Sequence, residues 1–112
     1  MKYFRGLLLL VASMPMAVHA HDFPTSGRVE YVLECMSNHA GKQEYLYKCS
    51  CTIDQIAQEI AYSDYVEMAA ALRYQTLGGP GGAEFRDPGA VKTMANTYKA
   101  LQAKARTTCF VQ

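Results

Sequence analysis

Four cysteines carry most of the reactive chemistry of this chain, and two of them, Cys49 and Cys51, stand one residue apart within YKCSCTID, residues 47–54. Such a pair could grip a metal ion, cycle between thiol and disulfide, or serve as two separate structural staples. Residues two apart on an α-helix point about 200° away from each other, so in a regular helix the two sulfurs cannot meet at one ion. No CxxC motif is present, no strand precedes a cysteine-bearing helix, and no histidine flanks either sulfur to hold a thiolate. Two disulfides to two different neighbours satisfy the geometry. Cys49 falls on an apolar stripe and Cys109 lies one turn beyond Ala105 on the apolar side of the last helix, which favours Cys49–Cys109 and leaves Cys35 for Cys51. The swapped pairing, Cys35–Cys49 with Cys51–Cys109, stays open because connectivity is not fixed by sequence.

Histidine suggests a second chemistry. Cleavage after Ala20 would make His21 the mature amino terminus, where its amine and ring nitrogen could chelate copper with His39 as a further ligand. Against this stands a loose terminal residue and a polar residue at a helix end. No Ser/His/Asp set or paired-carboxylate motif has a spacing that marks a catalytic centre, so an enzyme is not expected, nor a resident cofactor. Tyrosine is the third candidate group. The residues beyond Ala20 hold seven tyrosines, and the chain has no tryptophan. With Tyr47 and Tyr62 expected on one side of the second helix, and with Phe85 and Arg86 after a glycine-rich loop, these four form a candidate partner-binding set.

The elements that would position these groups are helical throughout. Val29, Val32, Leu33 and Met36 keep i, i+3, i+4, i+7 spacing and predict a first helix over about 27–38. Leu46, Cys49, Ile53, Ile56 and Ile60 predict a second over about 43–62. Ser63 or Asp64, with Glu67, offers a cap for a third helix bearing Val66, Ala69, Ala70 and Leu77, and the run LGGPGG stops it. Asp87-Pro88 reads as a cap and first helical position for a last helix carrying Val91, Met94, Tyr98, Leu101 and Ala105. No segment alternates as a strand would. The expected fold is all-α, a bundle of about four helices stapled by two disulfides.

Lys2 and Arg5 before a short apolar run, then Val18-His19-Ala20, predict a secretory signal peptide over residues 1–20 and a single helical domain over 21–112. The apolar run is shorter than the roughly 20 residues a bilayer span needs, so no membrane span is expected in the mature form. Removing Lys2 and Arg5 leaves nine basic against ten acidic residues, which argues against a nucleic-acid partner. An even cysteine count in a small exported chain points to an oxidising compartment, periplasmic or secreted.

Taken together, VLECM, LYKCSCTID, YSDYVE, FRDP and a terminal Cys-Phe resemble a family of small exported bacterial proteins associated with periplasmic quinoprotein alcohol dehydrogenase systems and their c-type cytochromes. The resemblance covers nearly all of the mature chain. Because its motifs hold no catalytic residues, it implies an accessory role beside a periplasmic protein. The expected function is therefore a non-enzymatic binding or accessory protein. A copper-binding protein and a small helical inhibitor or immunity-type protein are the alternatives.

Overall fold

The computed structural model describes residues 22–112 and is all-α. Five α-helices follow in order: α1 Thr25–Ser37, α2 Gln43–Glu59, α3 Tyr62–Tyr74, α4 Ala83–Arg86 and α5 Gly89–Thr108. The fifth helix beyond the four expected is α4, a single turn preceded by a 3-10 turn at Pro80–Gly82. The expected signal peptide and His21 lie outside the described residues.

The helices pack in a row. α1 lies on α2, α2 on α5, and α5 on α3, while α1 and α3 face each other without close packing. At the centre α2 buries Cys49, Thr52, Ile53, Ile56 and Ala57. Ile53 and Ile56 are almost wholly enclosed, which for a large aliphatic side chain contributes about 1.5–3 kcal/mol each. Thr52, a buried polar residue of this core, donates its hydroxyl to the Lys48 carbonyl at 2.8 Å and so leaves no donor unpaired. From α5 the core receives Tyr98 and Ala105, as the spacing of that helix predicted, together with Ala95.

α1 departs from its expected orientation. Its buried residues are Gly27, Tyr31, Val32 and Cys35, whereas Leu33 is 63% and Val29 49% exposed. At 100° per residue the buried face is turned by about a third of a revolution from the Val29/Leu33/Met36 stripe. The disulfides account for this. Cys35 is bonded to Cys49, and Cys51 to Cys109, so the favoured pairing from the sequence is corrected to the swapped one. Fully buried Cys49 looks at α1, and a Cα separation of 5.9 Å is possible only when Cys35 also points inward. Cys51, on the other side of α2, meets Cys109 at the end of α5.

Two helix starts also differ from expectation. α2 stops at Glu59, because Ile60 and Ala61 are extended, and Tyr62 opens α3 instead of closing α2. Neither Ser63 nor Asp64 caps α3; Asp22 does, its carboxylate accepting the Tyr62 N–H at 2.8 Å from forty residues away. A carboxylate there suits the positive end of the helix. At α5 the cap position is Pro88, and Asp87 turns to Arg86 instead.

Candidate functional site

Rotation of α1 creates two concave surfaces, one on each side of that helix. The first is a groove of about 340 Å³ between α1 and α2, walled by Val29, Val32, Leu33, Met36, Leu46 and Ile53. Ser50 sits in it with its hydroxyl turned to the Leu46 carbonyl at 2.6 Å, so even this polar side chain offers little to a ligand. Only Arg28 and Asp54, which form an ion pair across the helices, bring charge to the groove. Arg28 also lies 5.5 Å over the Phe23 ring, which ties the entry to α1 into the same corner.

The second is a polar cleft where α1 and α3 face each other over α5. Its inner part, about 90 Å³, is lined by Tyr31, Glu34 and Cys35 of α1, by Tyr65 and Arg73 of α3, and by Tyr98, Gln102 and Arg106 of α5. An adjoining chamber of about 180 Å³ shares Tyr31, Glu34, Tyr65 and Arg73 and adds Gly27, Glu30, Tyr62 and Val66, so the two chambers together set Arg73 and Arg106 against Glu30 and Glu34. Gly27 admits the Tyr62 ring here: a Cβ at this position would stand 3.0 Å from it. Rings continue through the cleft, from Phe23 to Tyr62 at 5.2 Å and from Tyr65 to Tyr98 at 6.0 Å, both edge-on.

Burial sets the chemistry of the phenols. It raises the Tyr31 hydroxyl above its ordinary value, with the Gln102 hydrogen bond and the nearby Arg106 charge only partly offsetting it. Desolvation pushes Tyr65 up to about 12 and raises Tyr98 further still. All three therefore stay protonated near neutrality and act as hydrogen-bond donors, not as bases. Gln102 donates to the Tyr31 oxygen at 3.4 Å, leaving the Tyr31 proton to be given elsewhere. Glu34 and Arg73 pair at 3.2 Å across α1 and α3. Arg106 Nε is buried and has no hydrogen-bond partner among the described residues.

The residues singled out from the sequence are dispersed. Tyr47 is 71% exposed on α2, whereas Tyr62 belongs to α3 and packs on Phe23, so the two do not share a face of one helix. Phe85 lies 5.7 Å from Tyr74 at the far end of α3. Arg86 holds its own loop together: it donates to the Leu77 carbonyl at 2.7 Å and pairs with Asp87 at 2.8 Å, which lowers the Asp87 carboxyl below its ordinary value. His39 stacks on Tyr45 with ring centres 4.0 Å apart. Among the described residues no three His, Cys, Asp or Glu side chains gather as a metal site would require. Cys35, Cys49, Cys51 and Cys109 are all paired.

Of the cleft residues, Tyr62 and Cys35 were singled out from the sequence and the others were not, although a signal for them exists. Tyr98, Gln102 and Arg106 recur at intervals of four on α5, and Gly27, Tyr31 and Cys35 do so on α1. Tyr98 also belongs to the apolar stripe of α5, whereas Gln102 and Arg106 stand beside it, as Gly27, Tyr31 and Cys35 stand beside the apolar stripe of α1. Among the described residues no helix is long and apolar enough to cross a membrane. Comparison of the chain with protein-family models, with curated proteins and with solved structures finds no match.

Proposed function

We propose that this chain is a non-enzymatic accessory protein of an oxidising, extracytoplasmic compartment, and that it docks an amphipathic helix of a partner protein in the α1–α2 groove. The observation that carries this reading is the exclusion of Val29 and Leu33 from the core of a small domain. Together with Met36 they line a groove that is apolar apart from one ion pair. Contiguous apolar surface of this kind marks interaction sites, and methionine adapts its shape to a partner.

A helix is the occupant that fits. Both walls are α-helices whose backbone groups are already paired, so no sheet edge is offered for strand addition. From Val29 to Met36 the wall runs about two helical turns, enough for three anchors spaced i, i+3 or i+4, and i+7 on the incoming helix. Arg28 and Asp54 at the groove can exchange partners with charges flanking those anchors. Pairing of all four cysteines supports the compartment, since such bridges persist where thiols are oxidised. The resemblance of the VLECM, LYKCSCTID and FRDP segments names the candidate partners: a quinoprotein alcohol dehydrogenase or its c-type cytochrome.

The test mixes the oxidised protein with each purified candidate and measures association by sedimentation and calorimetry, for the wild type and for Leu33→Glu. A complex with one candidate, lost in Leu33→Glu while helicity and Tm are unchanged, is expected. A complex indifferent to Leu33→Glu removes the groove from the reading. Association with neither candidate removes the named partners, and a wild-type dimer dissolved by Leu33→Glu would make the occupant a second copy. Inhibition of the bound enzyme, read in the same mixture, would favour the inhibitor role.

A further inference from the structure

We infer that the Cys35–Cys49 bond is an oxidation-set latch on α1: closing it commits the helix to the rotation that holds the groove open, and without it α1 turns its Val29/Leu33/Met36 face inward and closes the groove. This names the regulation of the proposed docking surface, and its consequence for binding rests on that reading.

Two faces of α1 can each serve as the buried one. The face now inward presents Gly27, Tyr31, Val32 and Cys35. The other presents Val29, Val32, Leu33 and Met36, which is apolar throughout and would leave Glu30 and Glu34 in solvent. Val32 sits where the two overlap, so its burial does not choose between them. Tyr31 favours the present face with its ring, but its hydroxyl is buried against a long hydrogen bond from Gln102, 3.4 Å. The Glu34–Arg73 and Arg28–Asp54 pairs each hold a carboxylate that is more than half exposed, where such pairs contribute little. The covalent bond is the remaining tie.

Space for the turn exists on both flanks of α1, in the groove of about 340 Å³ on one side and the chambers of about 90 and 180 Å³ on the other. Rolling about its own axis leaves the hydrogen bonds of the helix intact. A third of a revolution displaces a Cα, which lies about 2.3 Å from the axis, by about 4 Å. Cys35 and Cys49 now stand 5.9 Å apart between Cα atoms, and a bridge closes only within about 7 Å, so the bond and the alternative face exclude each other. A packed element with two arrangements and one covalent choice between them has the form of a redox device.

The oxidant is a thiol–disulfide oxidant of the compartment. One protein thiolate attacks the oxidant's disulfide and expels its first sulfur; the other attacks the mixed disulfide and expels the second. Two electrons and two protons thereby leave Cys35 and Cys49 and reduce the oxidant to its dithiol. With Cys49 fully buried and Cys35 nearly so, the closed bond is out of reach of a dithiol in the folded chain, so the latch is set once, during folding.

The experiment compares the oxidised wild type with Cys35→Ala/Cys49→Ala and with Cys35→Ala/Cys49→Val, which refills part of the lost volume; both keep Cys51–Cys109. Methyl and aromatic NMR is recorded with a soluble gadolinium chelate. In the wild type the chelate should broaden the Leu33 methyls and spare the Tyr31 ring. In the bridge-free variants Leu33 should be spared and Tyr31 broadened, with α1 still helical. Leu33→Gln, nearly neutral in the wild type, should clearly lower the denaturant midpoint in either bridge-free background, because Leu33 is buried there. An unchanged pattern without the bridge would overturn the inference. So would broadening of both residues, since the bond would then only prevent fraying, or an equally small effect of Leu33→Gln in all backgrounds. Neither readout needs a partner, so these failures are distinct from that of the docking reading, which falls when no candidate associates with the wild type. A candidate that does associate should bind the bridge-free variants more weakly, and equal binding would also overturn the latch.

Discussion

The groove and the cleft share one wall, helix α1, and differ in almost everything else. On one side α1 shows Val29, Leu33 and Met36 to the groove; on the other it shows Tyr31, Glu34 and Cys35 to the cleft. The groove is apolar, walled by α1 and α2, and its walls are joined directly by Cys35–Cys49. The cleft is rich in donors and floored by α5, which Cys51–Cys109 ties to α2. Each bridge thus secures one of the two surfaces. The contrast teaches that the most apolar face of a helix need not be the buried one when a covalent bond fixes its rotation. Burying Val29 and Leu33 would turn Cys35 away from Cys49, and a bridge over a loop of this size contributes about 3 kcal/mol in the chain-entropy account.

The largest expected effects come from cutting the bridges one at a time. Cys51→Ala with Cys109→Ala opens a loop of sequence separation 58 and should cost about 4 kcal/mol; Cys35→Ala with Cys49→Ala opens one of 14 and should cost about 3 kcal/mol. Denaturant unfolding of the two double variants checks the order. Hydrogen exchange checks the assignment of each bridge to its surface: α5 should lose protection most in the first variant and α1 in the second. A larger loss in the Cys35/Cys49 variant would show that the buried sulfurs at the α1–α2 contact outweigh loop length.

Alkaline titration should separate the surfaces next. Tyr31, Tyr65 and Tyr98 all have hydroxyls raised above 10.0, Tyr65 to about 12. Above the unfolded value of about 10, the unfolded chain releases these protons while the folded one keeps them, so stability falls as pH rises. The contribution is fully present below about pH 10 and is lost as pH climbs through about 12 and beyond. Thermal unfolding across this range should show a steep decline in the wild type and in Leu33→Gln, and a shallower one in Tyr65→Phe. An identical decline in Tyr65→Phe would exclude this hydroxyl as a source.

A smaller effect tests the mouth of the cleft. Asp22→Ala removes the side-chain acceptor from the first N–H of α3 and should cost about 1 kcal/mol, with increased exchange at Tyr62 and little change in α2. Smallest of all in stability is Leu33→Gln, expected to lie within about 0.5 kcal/mol of wild type because the side chain is mostly in solvent. Measured beside the binding assay, it separates groove from core: a loss above about 2 kcal/mol would place Leu33 among buried core residues instead.

Much of the scaffold was legible from residue spacing alone. Of the stripe expected from Leu46 to Ile60 on α2, Cys49, Ile53 and Ile56 are inward while Leu46 is half-buried at the groove and Ile60 lies past the helix end; Tyr98 and Ala105 on α5 are inward, and all four cysteines are bridged. Less of the candidate site was legible. Tyr47, Tyr62, Phe85 and Arg86 were grouped by residue type, yet Arg86 is spent on its own loop and Tyr62 on the α3 joint. Arg106 drew no notice because its four-residue spacing with Tyr98 and Gln102 marks only a helix face; the groups opposite it come from α1 and α3, whose Tyr31 and Arg73 lie far from it along the chain.

Helical periodicity, an even number of cysteines and the glycine and proline breaks were enough to determine an all-α chain held by two disulfides. They could not determine which face of α1 turns inward, which cysteines meet, or that Asp22 caps a helix beginning at Tyr62. Spacing within a helix fixes the angles between its own side chains, a local property of 100° per residue. The absolute rotation of that helix against its neighbours is decided by contacts between residues distant in sequence, and in α1 by the Cys35–Cys49 bond together with the burial of Tyr31 and Val32.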